Sequence, residues 1–370
     1  MLKIQYSQDI VQRNTFRMKV SAACVVEYDS IDDLYGLYGK GGQDVTISDL
    51  PKPVLHIGEG SNLLFTGDFP GTLLHSGIRF IRQVFPGSAD ASGLTADRES
   101  QERGASVFYE VGAGVPMDEF CAWAAAKDLW GPENLSHIPG EAGASAVQNV
   151  GAYGVEAKDI IYSVNCFDTV LCRTVSFRSE ECGYGYRESL FKTDRKGRYI
   201  ITSVVFRLSE SSGPVLGYGH LKSAVEAAAG QGGVTPSLVR DTIIGIRREK
   251  LPDVSELGSA GSFFKNPVVP RSAYEKVLSI ARLEHGEGCN VPHFEAGSGF
   301  VKIPAAWLIE QCGWKGYSEG NAGVYSRQPL VIVNLTGNAS PDEIISLENR
   351  IMASVKEKFD ILLHPEVEHI

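Results

Sequence analysis

A run of small residues at 138–156 constrains this chain more than any other feature of its sequence. The stretch reads IPGEAGASAVQNVGAYGVE and is dominated by glycine and alanine. Because these side chains are small, backbone N–H groups can come close to another molecule. Ser145, Gln148 and Asn149 add donors and acceptors for an extended polar ligand. The stretch therefore indicates either a tight loop packed against a sheet or a loop that holds a diphosphate mainly through its amides.

Length and charge limit the class of protein. A chain of 370 residues is long enough for two or three domains. The net charge of −10 argues against sequence-independent binding of nucleic acid, which needs a basic face. Seven cysteines without a CxxC spacing indicate reduced thiols. The polar start and the lack of an apolar run near ~18 residues predict a cytoplasmic protein without a membrane span.

Hydrophobic patterns predict the main secondary structure. Strands are expected at 22–28, 53–57, 107–111, 160–168 and 199–208. Helices are expected after Ser30, Pro116 and Ser340, and from Pro236 onward. The glycine turn at 58–62, between the strand at 53–57 and an apolar trio, is typical of a hairpin connection. The polar segment 88–106 is predicted to be an inserted surface loop.

Two further features bear on ligands. Arg240, Arg247 and Lys250 fall within an arc of about 80° on the helix that starts at Pro236, if each residue turns it by 100°. This stripe indicates a solvated basic face or an anion site. The chain has no GxGxxG, Walker, GxSxG or HExxH motif, so a Rossmann dinucleotide domain, nucleotide hydrolysis, serine hydrolysis and zinc proteolysis lose support. Its eight histidines are scattered and are read as structural, and no metal site is predicted.

The order of residues in two glycine-rich segments resembles that of a known family. IPG-x-x-G-x-x-x-x-QN-x-GAYG-x-E at 138–156 and GEGSN at 58–62 are similar to the two FAD-contacting loops of the MurB family. Its members are the UDP-N-acetylenolpyruvoylglucosamine reductases of peptidoglycan synthesis. The resemblance implies non-covalent FAD, with NADPH as co-substrate. The cofactor-binding residues that it implies are Gly58, Glu59, Gly60, Ser61, Asn62, Gly140, Gly143, Ser145, Gln148, Asn149, Gly151, Tyr153, Gly154 and Arg247.

The same resemblance extends over almost the whole chain and implies the fold. We expect an α+β protein with a two-lobed FAD-binding domain of the p-cresol methylhydroxylase (PCMH) type at 1–228, its lobes dividing near residue 75. A C-terminal α+β substrate-binding domain is expected at 229–370, with the last ~20 residues returning to the active site. The expected reaction reduces UDP-N-acetylglucosamine enolpyruvate to UDP-N-acetylmuramate in a monomer.

Three residues match the catalytic positions of the family. Arg187, in GYR-x-S-x-FK, is expected to bind the carboxylate where negative charge develops. Ser262, in GSAGSFFKNP, is expected to protonate C2. Glu366, in PEV, is expected to be the catalytic glutamate and is more useful protonated. Without the family pattern these would read as a surface arginine, a turn serine and a tail glutamate.

Four further residues match substrate contacts of the family. Tyr218, in LGYGH, resembles the diphosphate-binding tyrosine of the type I branch, and Lys250, Asn266 and Gln328 match other contacts. Two alternatives stay open. The chain could be another FAD oxidoreductase of the same fold, or a non-catalytic protein that binds a nucleotide sugar.

Overall fold

The computed structural model describes residues 2–39, 45–85, 106–193 and 195–370, which form two compact units. The first unit consists of Met1–Gln8, Ala22–Glu59 and Pro70–Arg247. The second consists of Asp9–Ser21, Gly60–Phe69 and Arg248–Ile370. Along the chain, the last break between the units follows Arg247. The predicted insertion at 88–106 lies outside the described residues, except for Ser106.

Two sheets and their helices build most of the first unit. The first sheet has the strand order β1-β2-β5-β3, and the second has the order β11-β10-β12-β7-β6. A few terminal residues of these elements, such as Asp9, Ser21 and Phe69, belong to the second unit. The elements are β1 (Lys3–Asp9), β2 (Ser21–Tyr28), α1 (Ile31–Leu37), β3 (Val54–Ile57), β5 (Phe69–Ser76), β6 (Ile81–Val84), β7 (Ser106–Gly112), α2 (Met117–Ala125), α3 (Ala142–Gln148), β8 (Gly151–Ala152), β9 (Val155–Glu156), α4 (Ala157–Ile160), β10 (Ile161–Asp168), β11 (Arg173–Arg178), β12 (Tyr199–Ser209), α5 (Leu221–Ala229) and α6 (Pro236–Lys250).

The sequence of β12 explains its central place in the second sheet. YIITSVVFRLS is rich in β-branched and aromatic residues, and most of its positions are buried. Ile201 and Val204 join the apolar core that also contains residues of α2 and α3. Ile200 joins a different core, formed with residues of the first sheet. Burial on both faces thus selects a nearly continuous apolar run instead of an alternating one.

The second unit contains shorter strands and longer helices. Its sheets have the strand orders β13-β19-β18-β17, β14-β16-β15 and β20-β4. The elements are β4 (Leu63–Leu64), β13 (Gly258–Ser259), β14 (Val268–Pro270), α7 (Arg271–His285), β15 (Phe294–Glu295), β16 (Phe300–Lys302), α8 (Ala305–Gln311), β17 (Ser318–Glu319), β18 (Ala322–Val324), β19 (Ile332–Asn334), α9 (Pro341–Phe359) and β20 (Glu368–His369). None of the described helices is both long and apolar enough to cross a membrane.

Most local predictions are confirmed. The expected strands are β2, β3, β7, β10 and β12. Ser30 caps α1 by accepting a hydrogen bond from the N–H of Asp33. Ser340 and Glu343 form the expected capping box of α9. These predictions succeed because caps and apolar periodicity act within one or two turns of chain.

The predicted hairpin at 58–62 is wrong. β3 pairs in parallel with β5, and Ile57 lies opposite His75. β4, which follows the turn, pairs in parallel with β20. The partners of both strands are therefore distant in sequence, and a local turn pattern carries no information about such pairing.

Candidate active site

The glycine-rich stretch at 138–156 is a short helix followed by a hairpin instead of a continuous loop. α3 occupies its middle, and β8 and β9 form the hairpin. The amides of Ala142 and Gly143 donate to the carbonyls of Val115 and Ala113 at 2.8 and 3.0 Å. A Cβ on Gly143 would lie only 2.9 Å from the Cβ of Ala113, so this close packing needs glycine. These two amides hold the stretch in place, and a ligand must use other groups.

Two glutamates fix the start of the stretch within the first unit. The carboxylate of Glu59 accepts the N–H of Gly140 at 2.8 Å. The buried Glu141 lies 2.7 Å from Nε2 of His75 through its Oε1. A Cβ on Gly58 would lie 3.1 Å from the other carboxylate oxygen of Glu141. The first predicted cofactor turn and the glycine-rich stretch are thus brought together at Gly58 and Glu59.

Polar side chains in the stretch are largely engaged with the protein. Asn149 adopts a left-handed conformation (φ 44°) at the end of α3. Its side chain donates to Glu156 and to the carbonyl of Gly185, and it accepts the N–H of Lys158. Ser145 donates to the carbonyl of Ala142 at 2.7 Å. These bonds account for Ser145 and Asn149 without a ligand, while Gln148 is half-buried.

The guanidinium of Arg187 lies at the end of α3. It donates to the carbonyls of Asn149 and Gly151 at 3.4 and 3.2 Å. Arg187 itself has a left-handed backbone (φ 58°), which is uncommon for a residue with a long side chain. Tertiary contacts must therefore maintain this conformation, and strain of this kind is often found at functional sites. Two of the guanidinium's five N–H donors are accounted for by these carbonyls.

Tyr153 and Gly154 form the two-residue turn between β8 and β9, both with positive φ. The ring of Tyr153 contacts that of Tyr218 edge-on, with centroids 5.9 Å apart. Its hydroxyl interacts with the Arg247 side chain, which lowers the pKa of Tyr153 against the larger rise caused by desolvation. Tyr218 is 48% exposed. Three residues that the sequence analysis assigned to ligands therefore form one cluster of the first unit.

Arg247 fits an anionic ligand such as a diphosphate. Nε of Arg247 donates to the carbonyl of His137 at 3.1 Å, just before the glycine-rich stretch. Desolvation lowers the pKa of Arg247. It forms no ion pair within the described parts of the chain, so its partners there are a carbonyl and a hydroxyl. A half-buried cation with neutral partners keeps its charge available for an anion. This donor set is compatible with FAD.

The spacing of the basic residues on α6 is typical of a solvated face, but the structure shows that one of them is paired within the protein. Arg240 pairs with Asp118, which also accepts the N–H of His137 at 2.5 Å. Desolvation opposes ionisation of Asp118, but hydrogen bonds with Arg240 and His137 hold its pKa below the usual range. Arg240 is therefore committed to a carboxylate on α2, which the periodicity of one helix cannot reveal. Lys250 is exposed at the end of the helix.

The second unit brings Ser262 and Glu366 into neighbouring segments. Glu366 N–H donates to the carbonyl of Phe263 at 2.8 Å, and Phe264 forms a bridge with Pro365. Phe263 is fully buried beside the half-buried Ser262 and anchors this segment in the core. The side-chain amide of Asn62 donates to the carbonyl of Glu366 at 3.0 Å. One residue of the first predicted cofactor turn thus contacts the C-terminal segment.

Other predicted residues of this unit have identifiable structural partners. Phe263 donates its N–H to the carbonyl of Leu330, two residues after Gln328. Asn266 accepts the N–H of Ala305 at 2.9 Å and so caps the first turn of α8. Gly60 has φ 66°, and a Cβ there would lie 2.1 Å from the carbonyl oxygen of Arg13. The protein's own backbone therefore requires glycine at position 60. Ser61 is half-buried beside it.

Several residues that shape the site were not singled out by the sequence. His75 and Glu141 fix α3, Asp118 fixes His137, and Asn134 donates to the carbonyl of Tyr153. Each acts through a partner that is distant in sequence. Among these residues, only Asn134 could have been suspected from the sequence, because it lies shortly before the glycine-rich stretch. Within the described residues no three His, Cys, Asp or Glu side chains are grouped so as to hold a metal.

Comparison with known proteins identifies related sequences for both halves of the chain. A family model described as UDP-N-acetylenolpyruvoylglucosamine reductase, C-terminal domain, matches residues 253–370. A second model, FAD binding domain, matches residues 47–170. A UDP-N-acetylenolpyruvoylglucosamine reductase of Bacteroides fragilis (strain YCH46) is 42% identical over 367 residues, which are 99% of this chain and 100% of the relative. A UDP-N-acetylenolpyruvoylglucosamine reductase of Porphyromonas gingivalis (strain W83) is 38% identical, and the match covers 100% of both chains.

A solved structure supports the fold. The crystal structure of UDP-N-acetylenolpyruvylglucosamine reductase (MurB) from Thermus caldophilus matches with a TM-score of 0.62 and 20% identity, covering 100% of this chain and 99% of that one. Together with the FAD-binding model, this match confirms the predicted fold class, an α+β FAD-binding domain of the PCMH type with a C-terminal α+β domain. The chain belongs to the family of UDP-N-acetylenolpyruvoylglucosamine reductases.

Proposed function

We propose that this chain is a flavoenzyme of peptidoglycan precursor synthesis. It reduces UDP-N-acetyl-3-O-(1-carboxyvinyl)-glucosamine to UDP-N-acetylmuramate, with NADPH as reductant and non-covalent FAD as cofactor. Family membership supports the reaction. The structural observation that supports the proposal is the backbone hydrogen bond between Glu366 and Phe263, because Phe263 is the residue after Ser262. When bound, FAD supplies the hydride, taken from NADPH, that adds to C3 of the enolpyruvyl group.

Arg187 is proposed to stabilise the negative charge that hydride addition leaves on C2 and the carboxylate. A guanidinium offers a planar pair of N–H donors that matches a carboxylate, and it acts strongly in a site closed to water. In the first unit this guanidinium is already oriented by two backbone carbonyls. Orientation before the substrate binds reduces the reorganisation needed in the transition state.

Ser262 is proposed to deliver the proton to C2. A serine hydroxyl is a weak acid, so a nearby group must stabilise its alkoxide or relay a proton. Lys250 and Asn266 are the candidates from the substrate-binding group. Glu366 is proposed to act in its protonated form, since a carboxylate next to an accumulating enolate is repulsive.

The remaining predicted residues are proposed to bind ligands. Tyr218 and Gln328 contact the sugar nucleotide in this proposal, with the last ~20 residues completing the active site. The 58–62 turn, the 138–156 stretch and Arg247 hold FAD, with 1–228 as the cofactor domain and 229–370 as the substrate domain. The protein is proposed to be a cytoplasmic monomer without a membrane or nucleic-acid partner, in keeping with its net charge of −10.

The test is a spectroscopic cycle on the purified protein. We expect a yellow protein whose flavin absorbance is bleached anaerobically by NADPH and restored by the enolpyruvyl substrate. A colourless protein that does not bind added FAD would contradict the proposal. Bleaching by NADPH without re-oxidation by this substrate would indicate another FAD oxidoreductase of the same fold.

A further inference from the structure

Asn134 lies between two segments that carry tyrosines assigned to ligands. Its side chain is fully buried, with 0% exposure. Its Nδ2 donates to the carbonyl of Tyr153 at 2.9 Å and to the carbonyl of Val215 at 2.8 Å. Tyr153 is in the turn of the β8–β9 hairpin, and Val215 is in the segment 210–220, called here the Tyr218 loop.

The orientation of the Asn134 amide follows from its partners. Both are carbonyl oxygens, which only accept hydrogen bonds, so the NH2 group must face them. The Oδ1 atom is buried and accepts no hydrogen bond from the described residues. The hydrogen bonds of this side chain therefore join the β8–β9 hairpin to the Tyr218 loop.

The Tyr218 loop is otherwise mostly solvent-exposed. Val215 and Tyr218 are 46% and 48% exposed. The loop lies against the hairpin turn, because a Cβ on Gly154 would be 3.6 Å from the Cβ of Tyr218 and 3.9 Å from a methyl carbon of Val215. The rings of Tyr153 and Tyr218 are also in contact, with centroids 5.9 Å apart. A fully buried donor thus holds the middle of an exposed loop, at Val215.

We propose that Asn134 is a positioning residue that holds the Tyr218 loop on the hairpin, so that the Tyr218 hydroxyl is presented to the diphosphate of the sugar nucleotide. The inference rests on the proposed function, which assigns that contact to Tyr218. A loop that is ordered before the ligand arrives loses less conformational entropy on binding. Releasing the loop should therefore weaken sugar-nucleotide binding without affecting the reaction with NADPH.

The first measurement concerns the loop alone and needs no substrate. Asn134→Ala removes both hydrogen bonds in the full-chain holoenzyme. We expect amide hydrogen exchange across 213–220 to become faster by roughly tenfold or more. Asn165→Ala is the matched control, because the Asn165 amide donates to Glu110 and Ser203, neither of which is in the loop. The control should leave exchange in 213–220 unchanged.

The second measurement separates positioning from a general loss of stability. Asn134→Ala should raise KM for the enolpyruvyl substrate by roughly tenfold, the effect of about one buried hydrogen bond. KM for NADPH and the affinity for FAD, followed by flavin fluorescence, should stay near wild type. In a Tyr218→Phe background the rise in KM should be much smaller, because both changes act on one contact. A purely structural role predicts the same effect in both backgrounds.

The outcomes are distinguishable. Unchanged exchange at 213–220 in Asn134→Ala would overturn the inference, whatever the kinetics. Faster exchange with a wild-type KM would overturn the positioning role of Asn134. The KM of Tyr218→Phe tests the diphosphate contact separately, and neither result bears on the reductase activity. If the alanine variant does not fold, Asn134→Ser retains one donor and should give smaller changes of the same sign in both measurements.

Discussion

The backbone N–H of Glu366 donates to the carbonyl of Phe263 at 2.8 Å. This bond joins the end of the chain to the segment that carries Ser262. Phe263 is fully buried, so the position of the carboxylate segment is fixed by the core of the second unit. A serine and a glutamate that are distant in sequence are thereby brought into adjacent segments, as the shared role in proton transfer proposed for them requires.

Ser262→Ala should separate the two half-reactions. We expect flavin reduction by NADPH to stay near normal, while re-oxidation by the enolpyruvyl substrate slows by roughly 10²–10⁴-fold, the usual contribution of a positioned proton donor. Stopped-flow absorbance measures both steps. Ser279→Ala is the control, since that hydroxyl is exposed on α7 and bonds to its own helix. Equal losses in both half-reactions would show that Ser262 supports the flavin or the fold.

Arg187→Lys should impair turnover even though the charge is kept. A lysine ammonium cannot bond to the carbonyls of Asn149 and Gly151 and also form a planar two-point contact with a carboxylate. The deficit should lie in the substrate half-reaction, measured by stopped flow. Arg198→Lys, which alters an ion pair with Asp168 on β10, controls for loss of stability. Wild-type turnover in Arg187→Lys would remove this residue from the catalytic group.

Tyr218→Phe keeps the ring contact with Tyr153 and removes only the hydroxyl. We expect KM for the sugar nucleotide to rise more than KM for NADPH, by the equivalent of about 1.5–3 kcal/mol for a hydrogen bond to a charged group. Steady-state kinetics with each substrate varied in turn gives both values. Tyr35→Phe, whose ring packs on Phe167, should change neither. Unchanged values in Tyr218→Phe would mean that the hydroxyl does not contact the diphosphate.

His56 should make the protein less stable in acid. Burial lowers its pKa to about 4 from an ordinary 6.5, and its neutral ring bonds to the Tyr28 hydroxyl at 2.6 Å. Between these values the unfolded chain binds the proton and the folded chain does not. Stability is therefore complete above pH 6.5 and falls as the pH drops toward 4, by up to about 3 kcal/mol. Urea unfolding of His56→Gln should show a shallower loss over this range.

His369 serves as a control, because its pKa is shifted in the opposite direction to that of His56. Its hydrogen bond with Glu348, at 2.8 Å, raises its pKa above the ordinary 6.5. The stabilisation is present below that value and is lost as the pH rises through the raised pKa. His369→Gln should therefore remove a gain in stability that develops between the raised pKa and pH 6.5, and should leave the slope of the acid loss below pH 6.5 unchanged. If His56→Gln and His369→Gln gave the same pH profile, the assignment of these two effects would be wrong.

Local sequence was sufficient for the helix starts and the main strands. Ser30, Pro116 and Ser340 mark real helix beginnings, because a cap acts on amides within one turn. The strand β12 can also be predicted from local sequence, since burial on both faces selects apolar residues at most of its positions. Order within the glycine-rich stretch was specific enough to indicate the family, which the relatives confirm.

Tertiary structure decided how the glycine-rich residues are used. Gly143 permits close contact with Ala113, and the side chain of Asn149 bonds to Glu156 and Gly185. From the sequence alone these residues indicated either a tight packed loop or a ligand-holding loop, because glycine allows close approach to any neighbour, whether cofactor or protein. Which neighbour it meets is a long-range property.

The sequence by itself determined the family and the fold class, because these depend on residue types at fixed local spacings. Only the tertiary structure decided that β4 pairs with β20, that Glu141 meets His75, and that Asn134 joins the Tyr153 hairpin to the Tyr218 loop. Each of these contacts satisfies a polar group through a partner far along the chain. Such pairing follows from how whole helices and strands pack together. It cannot be predicted from the residues that are close in sequence to either partner.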